Sequence, residues 1–558
     1  MVTDMSDKKA VSYLDFGAVG DGVTDDFRAI YRAHEYANEH NLPVVTDDDK
    51  TYYIHDTVID GEVKTVKIRT DVNWGSSKFI IDDNLECSDG LKRGARSIFK
   101  VVSDYEDITV TDPEILEKFK GVGEGTKRFD FAPGYPALIT VYNDNYRVYH
   151  RTGYASKGGR SSPQHEVFLV DKDGNIDEST PFMFNYDEVT KIIVTRVDVT
   201  PLTVKGGIFT TLVPVVSVAE GEVAKVLGGY TRNILVNRSY TTVEGVSHYV
   251  ENEPTIEDWF NGKYHGVHYA GFYTASFANE VTFKDCIITG RRSYNHSTYE
   301  FRADHINKIR LVGCTQCNFE IIDEDGNKAY SMKQSKFTRS ASHWGIGGSN
   351  FCKNMEYIDC KVSRFDAHQG LYNGKIINTD VNMMEIIGKG ELILENMRWR
   401  SANPGKTYNS FLYLKADYGS TWEGTITAKN CTLDFSEGEA FVFFHGYVNW
   451  NFGYTCYFPN IIIDNPTVRG LKPGAKIDVV RREGSFTDEP NMHFPKTKNK
   501  PAIRHDGTID EGNMTNQNPN IPPKFIKVIN NNSGHDFHIY DVPFFESTEK
   551  VGLVEENF

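Results

Sequence analysis

Val281-Thr282-Phe283-Lys284-Asp285-Cys286, Ile309-Arg310-Leu311-Val312-Gly313-Cys314, Met355-Glu356-Tyr357-Ile358-Asp359-Cys360 and Ile426-Thr427-Ala428-Lys429-Asn430-Cys431 share one pattern. An apolar residue, a spacer, a second apolar residue and two spacers lead to a cysteine. Apolar and polar positions alternate, and the apolar ones are largely Val, Ile, Phe, Leu and Tyr, which suits a pleated strand. Weaker copies use Thr241, Val243 and Val246; Tyr330, Met332 and Ser335; Leu392, Leu394 and Met397; and Ile461, Ile463 and Pro466. Most anchors lie roughly 20 to 40 residues apart, a period at which each repeat buries its apolar face only by stacking on its neighbours. The expected fold is therefore all-β, a right-handed parallel β-helix. The cysteines fall in one column of that ladder and read as small, reduced core filler.

Composition agrees and excludes several functions. The 558 residues include 47 glycines and 30 tyrosines, as a turn-rich β protein would. A net charge of −16 argues against a nucleic-acid partner, because 77 acidic residues would repel a phosphate backbone. No run of about 18 apolar residues exists to insert into a membrane. Met1 to Ala10 is polar, without the apolar core of a secretory signal. Cys314-x-x-Cys317 stands without a second pair, so neither a metal nor another cofactor is expected.

The chain divides into four expected stretches: an N-terminal cap and first coils over 1–115, an inserted β-rich domain over 116–230, the main coil over 231–475, and an extended tail over 476–558 containing Pro490, Pro495, Pro501, Pro519, Pro522 and Pro523. In the first stretch Phe27, Ile30, Tyr31 and Ala37 fall at helical spacing, with Thr24 or Asp25 as cap and Asn41 and Pro43 as stop. Such a helix covers the open end of a solenoid. In the second, Asp171-Lys172-Asp173-Gly174-Asn175 reads as a hairpin turn.

The string Asp15-Phe16-Gly17-Ala18-Val19-Gly20-Asp21-Gly22-Val23-Thr24-Asp25-Asp26, followed by a helix with Ala29-Ile30, resembles the N-terminal signature of the pectate lyase superfamily. That superfamily holds polysaccharide lyases, glycoside hydrolases and bacteriophage tailspike depolymerases. The string itself is architectural and implies the β-helix far more than a substrate; resemblance to the tailspikes of that superfamily implies a polysaccharide ligand and a homotrimer, and the polar N-terminus, without a secretory signal, points to a virion tail. The resemblance does not extend to the pectinase mechanisms. Asn378-Thr379-Asp380 is similar to the first polygalacturonase motif, but the Asp-Asp pair and the Arg-Ile-Lys string are missing. Arg302 or Arg364 would suit a pectate lyase base, yet no dense acidic cluster accompanies either.

Candidate chemistry sits where the coils depart from their repeat. Segments 291–305, 343–350 and 363–370 concentrate titratable, aromatic and glycine residues. Arg364, Asp366 and His368 alternate along one strand face, expected to be exposed or to line a cleft, because burying three such groups is costly. Asp366 would act with a second acid, Asp304 or Glu300, while His368 and His343 position or tune them. Arg364, Arg302, His305 and Asn350 would hold polar sugar groups, and Trp344 would stack on a ring. Asp417 and Trp422 would form a far wall. A lyase would use His368 or a tyrosine as base, with Arg364 neutralising a uronate. A spike that only grips glycans is the remaining alternative.

Overall fold

The computed structural model describes residues 8–84, 93–148, 162–213, 231–252, 270–289, 299–316, 320–322, 328–330, 346–400, 409–414, 421–447, 456–483, 502–503, 509–510, 520–521, 523–539 and 553–556. His343, Trp344, Asp417 and the segment 291–298 lie outside them.

The described residues form a right-handed parallel β-helix whose strands make one 28-stranded sheet. Each coil pairs in parallel with the coils before and after it. The repeat column runs from Thr241 to Val281 to Ile309, and later from Leu392 to Ile426, Ile461 and Ile526. Val243, Phe283, Leu311, Tyr357, Leu394 and Ile463 point inward and are buried in one continuous core. The cysteines fill the small column next to them. Cys286, Cys314, Cys360 and Cys431 are buried and free, and each thiol lies 3.3–3.5 Å from a carbonyl of the preceding coil.

The two spacers before each cysteine have a geometric purpose. The second spacer turns the corner alone, in the left-handed backbone region: Asp285, Gly313, Asp359, Asn378, Asn396, Asn430, Asn465 and Asn530 all have φ between 49° and 65°. Only Gly, Asn and Asp visit that region routinely. Their amides also form a ladder, from Asn396 to Asn378, Asn378 to Asp359, Asn465 to Asn430, and Asn530 to Asp464.

One coil escaped the pattern, and one anchor of a weaker copy lies off the parallel ladder, its companions Met332 and Ser335 lying outside the described residues. Gly374-Lys375-Ile376-Ile377-Asn378-Thr379 occupies a full rung between Met355 and Leu392. Gly374 fills the first apolar position because a Cβ there would already touch Leu392 at 3.0 Å and Leu371 at 3.4 Å. Thr379 stands in the cysteine column and donates its hydroxyl to the Ile377 carbonyl at 2.8 Å. Tyr330, by contrast, belongs to an antiparallel hairpin of strands Glu320–Ile322 and Lys328–Tyr330.

The helix Phe27–His40 buries Phe27, Ile30, Ala33, His34 and Ala37 on the end of the core, and Asn41 closes it at φ 52°. Its N-cap is Asp26 rather than Thr24 or Asp25. The carboxylate of Asp26 is occupied elsewhere, accepting from the Val19 and Gly20 amides, while Asp25 accepts from Phe27 N–H. The glycine-rich string is thus a folded N-terminal knot held by its own aspartates.

After the strand Phe99–Val102 the chain leaves the coil and builds a separate four-stranded sheet from Ile108–Val110, Ala137–Val148, Ser162–Val170 and Lys191–Arg196, antiparallel throughout. It has its own core around Phe119, Phe129, Phe168 and Phe182. The Asp171 to Asn175 turn forms as expected, with Asp171 accepting from the amides of Asp173 and Asn175 at 2.9 Å. The coil resumes earlier than the sequence suggests. Strand Leu202–Leu212 pairs in parallel with Val72–Asp82; the irregularity at Gly206 and Gly207, both with positive φ, hides its alternation. The tail also returns to the coil. Ile526–Ile529 continues the repeat column, and Phe537–Ile539 adds to the strand Thr467–Glu483.

Candidate functional site

The inserted sheet is clamped to the coil flank. Lys353, on an outer coil position, reaches Glu166 of the sheet at 2.8 Å, and both side chains are 1% exposed. Glu166 also accepts from the Met183 and Phe184 amides at 2.8 and 3.0 Å. A buried charge pair of this kind is tolerated only when its remaining lone pairs are satisfied. Beside it His165 packs on Phe351 and stacks at 4.8 Å on His305, which in turn stacks at 4.7 Å on Phe277. Phe277, His305 and Phe351 are left-handed corner residues of three consecutive coils.

This stack decides the role of the 300–305 candidates. Asp304 bonds the His305 ring nitrogen Nδ1 at 2.5 Å and accepts from Arg302 at 3.0 Å. Burial raises its pKa, but the His305 and Arg302 charges outweigh burial and leave the carboxyl below its usual range. Asp304 therefore stays ionised and is ill suited to donate a proton at neutral pH. His305 is a docking residue for the inserted sheet. Glu300, on the same side of the strand as Arg302 and Asp304, is fully buried, so it is no open acid for substrate. Asn350 is nearly buried and pairs in register with Asp304 on one side and Gln369 on the other.

Arg364, Asp366 and His368 do share one face, opposite the core residues Phe365 and Ala367. Arg364 lies 3.1 Å from Asp366, and Asp366 lies 3.7 Å from His368. Contrary to expectation the face is covered: Asp366 is 0% exposed and Arg364 and His368 are buried. What makes burial affordable is a fourth residue. Glu385, in register with Asp366 on the next coil, binds the same guanidinium nitrogen. Two carboxylates on adjacent coils, about 4.8 Å apart along the ladder, thus share one arginine. The shared guanidinium ties the two coils together at this point of the flank. Tyr299 sets its ring edge-on to His368 with centroids 6.3 Å apart, joining the 299–305 and 363–370 segments on one flank.

Trp422 is not a sugar platform. Its indole is buried in the coil core and donates to the Gly390 carbonyl at 3.0 Å.

An open cleft of about 350 Å³ lies between the inserted sheet and the later coils. From the sheet come Asn143, Tyr146, Gln164, Phe184 and Asp187; from the coils come Lys389, Thr421, Glu423 and Tyr457. Lys389 bridges Glu423 at 2.9 Å and Glu124. Thr421 accepts from the Tyr457 backbone N–H at 2.9 Å and holds the chain of that residue at the wall. Burial pushes both phenols up, helped by Asp187 at Tyr146 and Glu423 at Tyr457. At neutral pH both phenols can donate hydrogen bonds. Sequence spacing gave no hint of this cleft, whose walls are joined only by the docking of the inserted sheet. Among the described residues no group of three His, Cys, Asp or Glu gathers as metal ligands.

No family model matches the sequence, and no curated protein matches it. Solved structures with a similar course of chain include the tailspike of Pseudomonas phage LKA1, at 12% identity over 93% of this chain and 80% of that one with a TM-score of 0.45. The tailspike of Pseudomonas phage phi297 is similar at 12% identity over 86% and 81%, with a TM-score of 0.44. The tailspike of Acinetobacter baumannii bacteriophage AP22, solved with a capsular saccharide of that host, is similar at 9% identity over 95% and 77%, again with a TM-score of 0.44.

Proposed function

We propose that this chain binds a cell-surface or extracellular polysaccharide on the flank of its β-helix and cleaves it by hydrolysis, as part of a phage tail. The observation that carries the reading is the open cleft, which sets Tyr146, Phe184 and Tyr457 beside amides and two carboxylates. Aromatic faces match the C–H faces of sugar rings, and a few polar groups fix orientation. Asp187 and Glu423 are the carboxylates that line the cleft, and Glu423 would have to be released from Lys389 to act on a bound chain. The chain's likeness to phage tailspikes is the ground for proposing a homotrimer on a virion tail.

The test is incubation with surface polysaccharides of candidate hosts, following reducing ends and the ultraviolet absorbance of unsaturated uronates. New reducing ends without that absorbance support hydrolysis; both signals together indicate a lyase. One observation favours a binding-only spike: Asp304, Asp366 and Glu385 are all tied in ion pairs. Retained binding with neither signal would establish that alternative.

A further inference from the structure

We infer, resting on the glycan reading above, that the cleft takes a polysaccharide segment free of carboxylates, neutral or amino-bearing, rather than a uronate. The facing charges carry the argument. Asp187 and Glu423 line the cleft, and the one cation among the described lining residues, Lys389, is already held between Glu423 and Glu124. A uronate would meet acidic walls and would have to break a Lys389 ion pair to find a partner. Like charges at short range disfavour such a ligand.

The uncharged groups fit the opposite class. Asn143 and Gln164 face the cleft as neighbouring amides, with Gln164 oriented by its bond to the Asn185 carbonyl at 3.0 Å. Protonated Tyr146 and Tyr457 donate to hydroxyl or acylamino oxygens. Phe184 and Val148 supply apolar wall for ring C–H faces. The volume of about 350 Å³ suits a short segment of a longer chain.

The experiment is a glycan array of bacterial surface polysaccharides, grouped as neutral, amino-bearing and uronate-containing. It is probed with the full chain and with Tyr457→Ala, Asp187→Asn and Glu423→Gln, each checked for unchanged thermal unfolding. Carboxylate-free glycans are expected to dominate, with at least tenfold weaker binding of uronates. Tyr457→Ala should weaken the bound glycans about tenfold, and the two carboxylate variants should narrow the discrimination. Uronate-led binding, or discrimination that neither carboxylate variant moves, overturns the charge inference and leaves the glycan function standing. Binding that survives Tyr457→Ala unchanged overturns the cleft as the site. No binding to any polysaccharide overturns the function itself.

Discussion

The inner and outer faces of the same coils are built by opposite rules. Inside, Leu394 packs between Ile376 and Ala428, and Cys314 bonds a carbonyl of the coil before it. Most positions repeat their neighbour's solution. Outside, Lys353 has Glu166, Arg364 has Asp366 and Glu385, and His305 has His165. Each partnership occurs once. Stability inside is a sum of many similar interfaces, whereas stability on the flank rests on single contacts. Damage should therefore spread over the coil but stay focused on the flank.

The sharpest way to break that contrast is Lys353→Ala, which leaves Glu166 charged and buried. We expect a loss of about 3–5 kcal/mol, read by denaturant unfolding and by selective proteolysis of the inserted sheet. Lys353→Met with Glu166→Gln should recover most of it. Leu394→Ala in the coil should cost about 2–5 kcal/mol through its cavity, with unfolding that remains cooperative along the ladder. Equal proteolytic release of the sheet by both variants would erase the distinction.

Acid offers a middle-sized test. Burial lowers His34, in the coil cap, and His165, in the docked sheet, from 6.5 to about 3. The unfolded chain then binds more protons, so this stability is fully present above about pH 6.5 and is lost as pH falls toward 3. Each histidine contributes a slope of about 1.4 kcal/mol per pH unit within that window. Asp304, held low, adds loss in the same direction at more acidic pH. His165→Gln should flatten the slope for release of the sheet alone, and His34→Gln that of the cap. A slope unchanged by either would count against buried neutral imidazoles.

Asn396→Ala is the smallest of the set. It places a Cβ in the left-handed corner and removes a ladder bond, for about 1–2 kcal/mol, measured as a shift in unfolding midpoint. Asn396→Gly should restore the conformational part and leave only the lost hydrogen bond.

The ladder was legible because Val281, Ile309 and Ile426 repeat one environment, and periodicity records repetition. The Gly374 rung was missed because its core space is filled by Leu371 and Leu392, so hydrophobicity vanished from the expected position. Glu385 was hidden in Met383-Met384-Glu385-Ile386, which reads as core strand, although its register with Asp366 makes it the partner of Arg364. The alternation of Arg364, Asp366 and His368 correctly put them on one face. It carried no information on what covers that face. Trp422 misled because its neighbours are polar while its own indole turns inward. The cleft joins residues 143–187 to 388–457, and no local pattern links such distant stretches.

The single-residue corner has a consequence for how such a chain can diversify. A turn made by one asparagine, such as Asn378 with its amide bonded to Asp359 on one side and Asn396 on the other, has no slack for an added residue. Insertions there would tear the ladder at two levels. Novelty is therefore steered to the other edges of the coil, and the excursion from Phe99–Val102 to Leu202–Leu212 is one instance. The asparagine edge works as a zipper that holds register while the opposite flank is free to acquire new ligands.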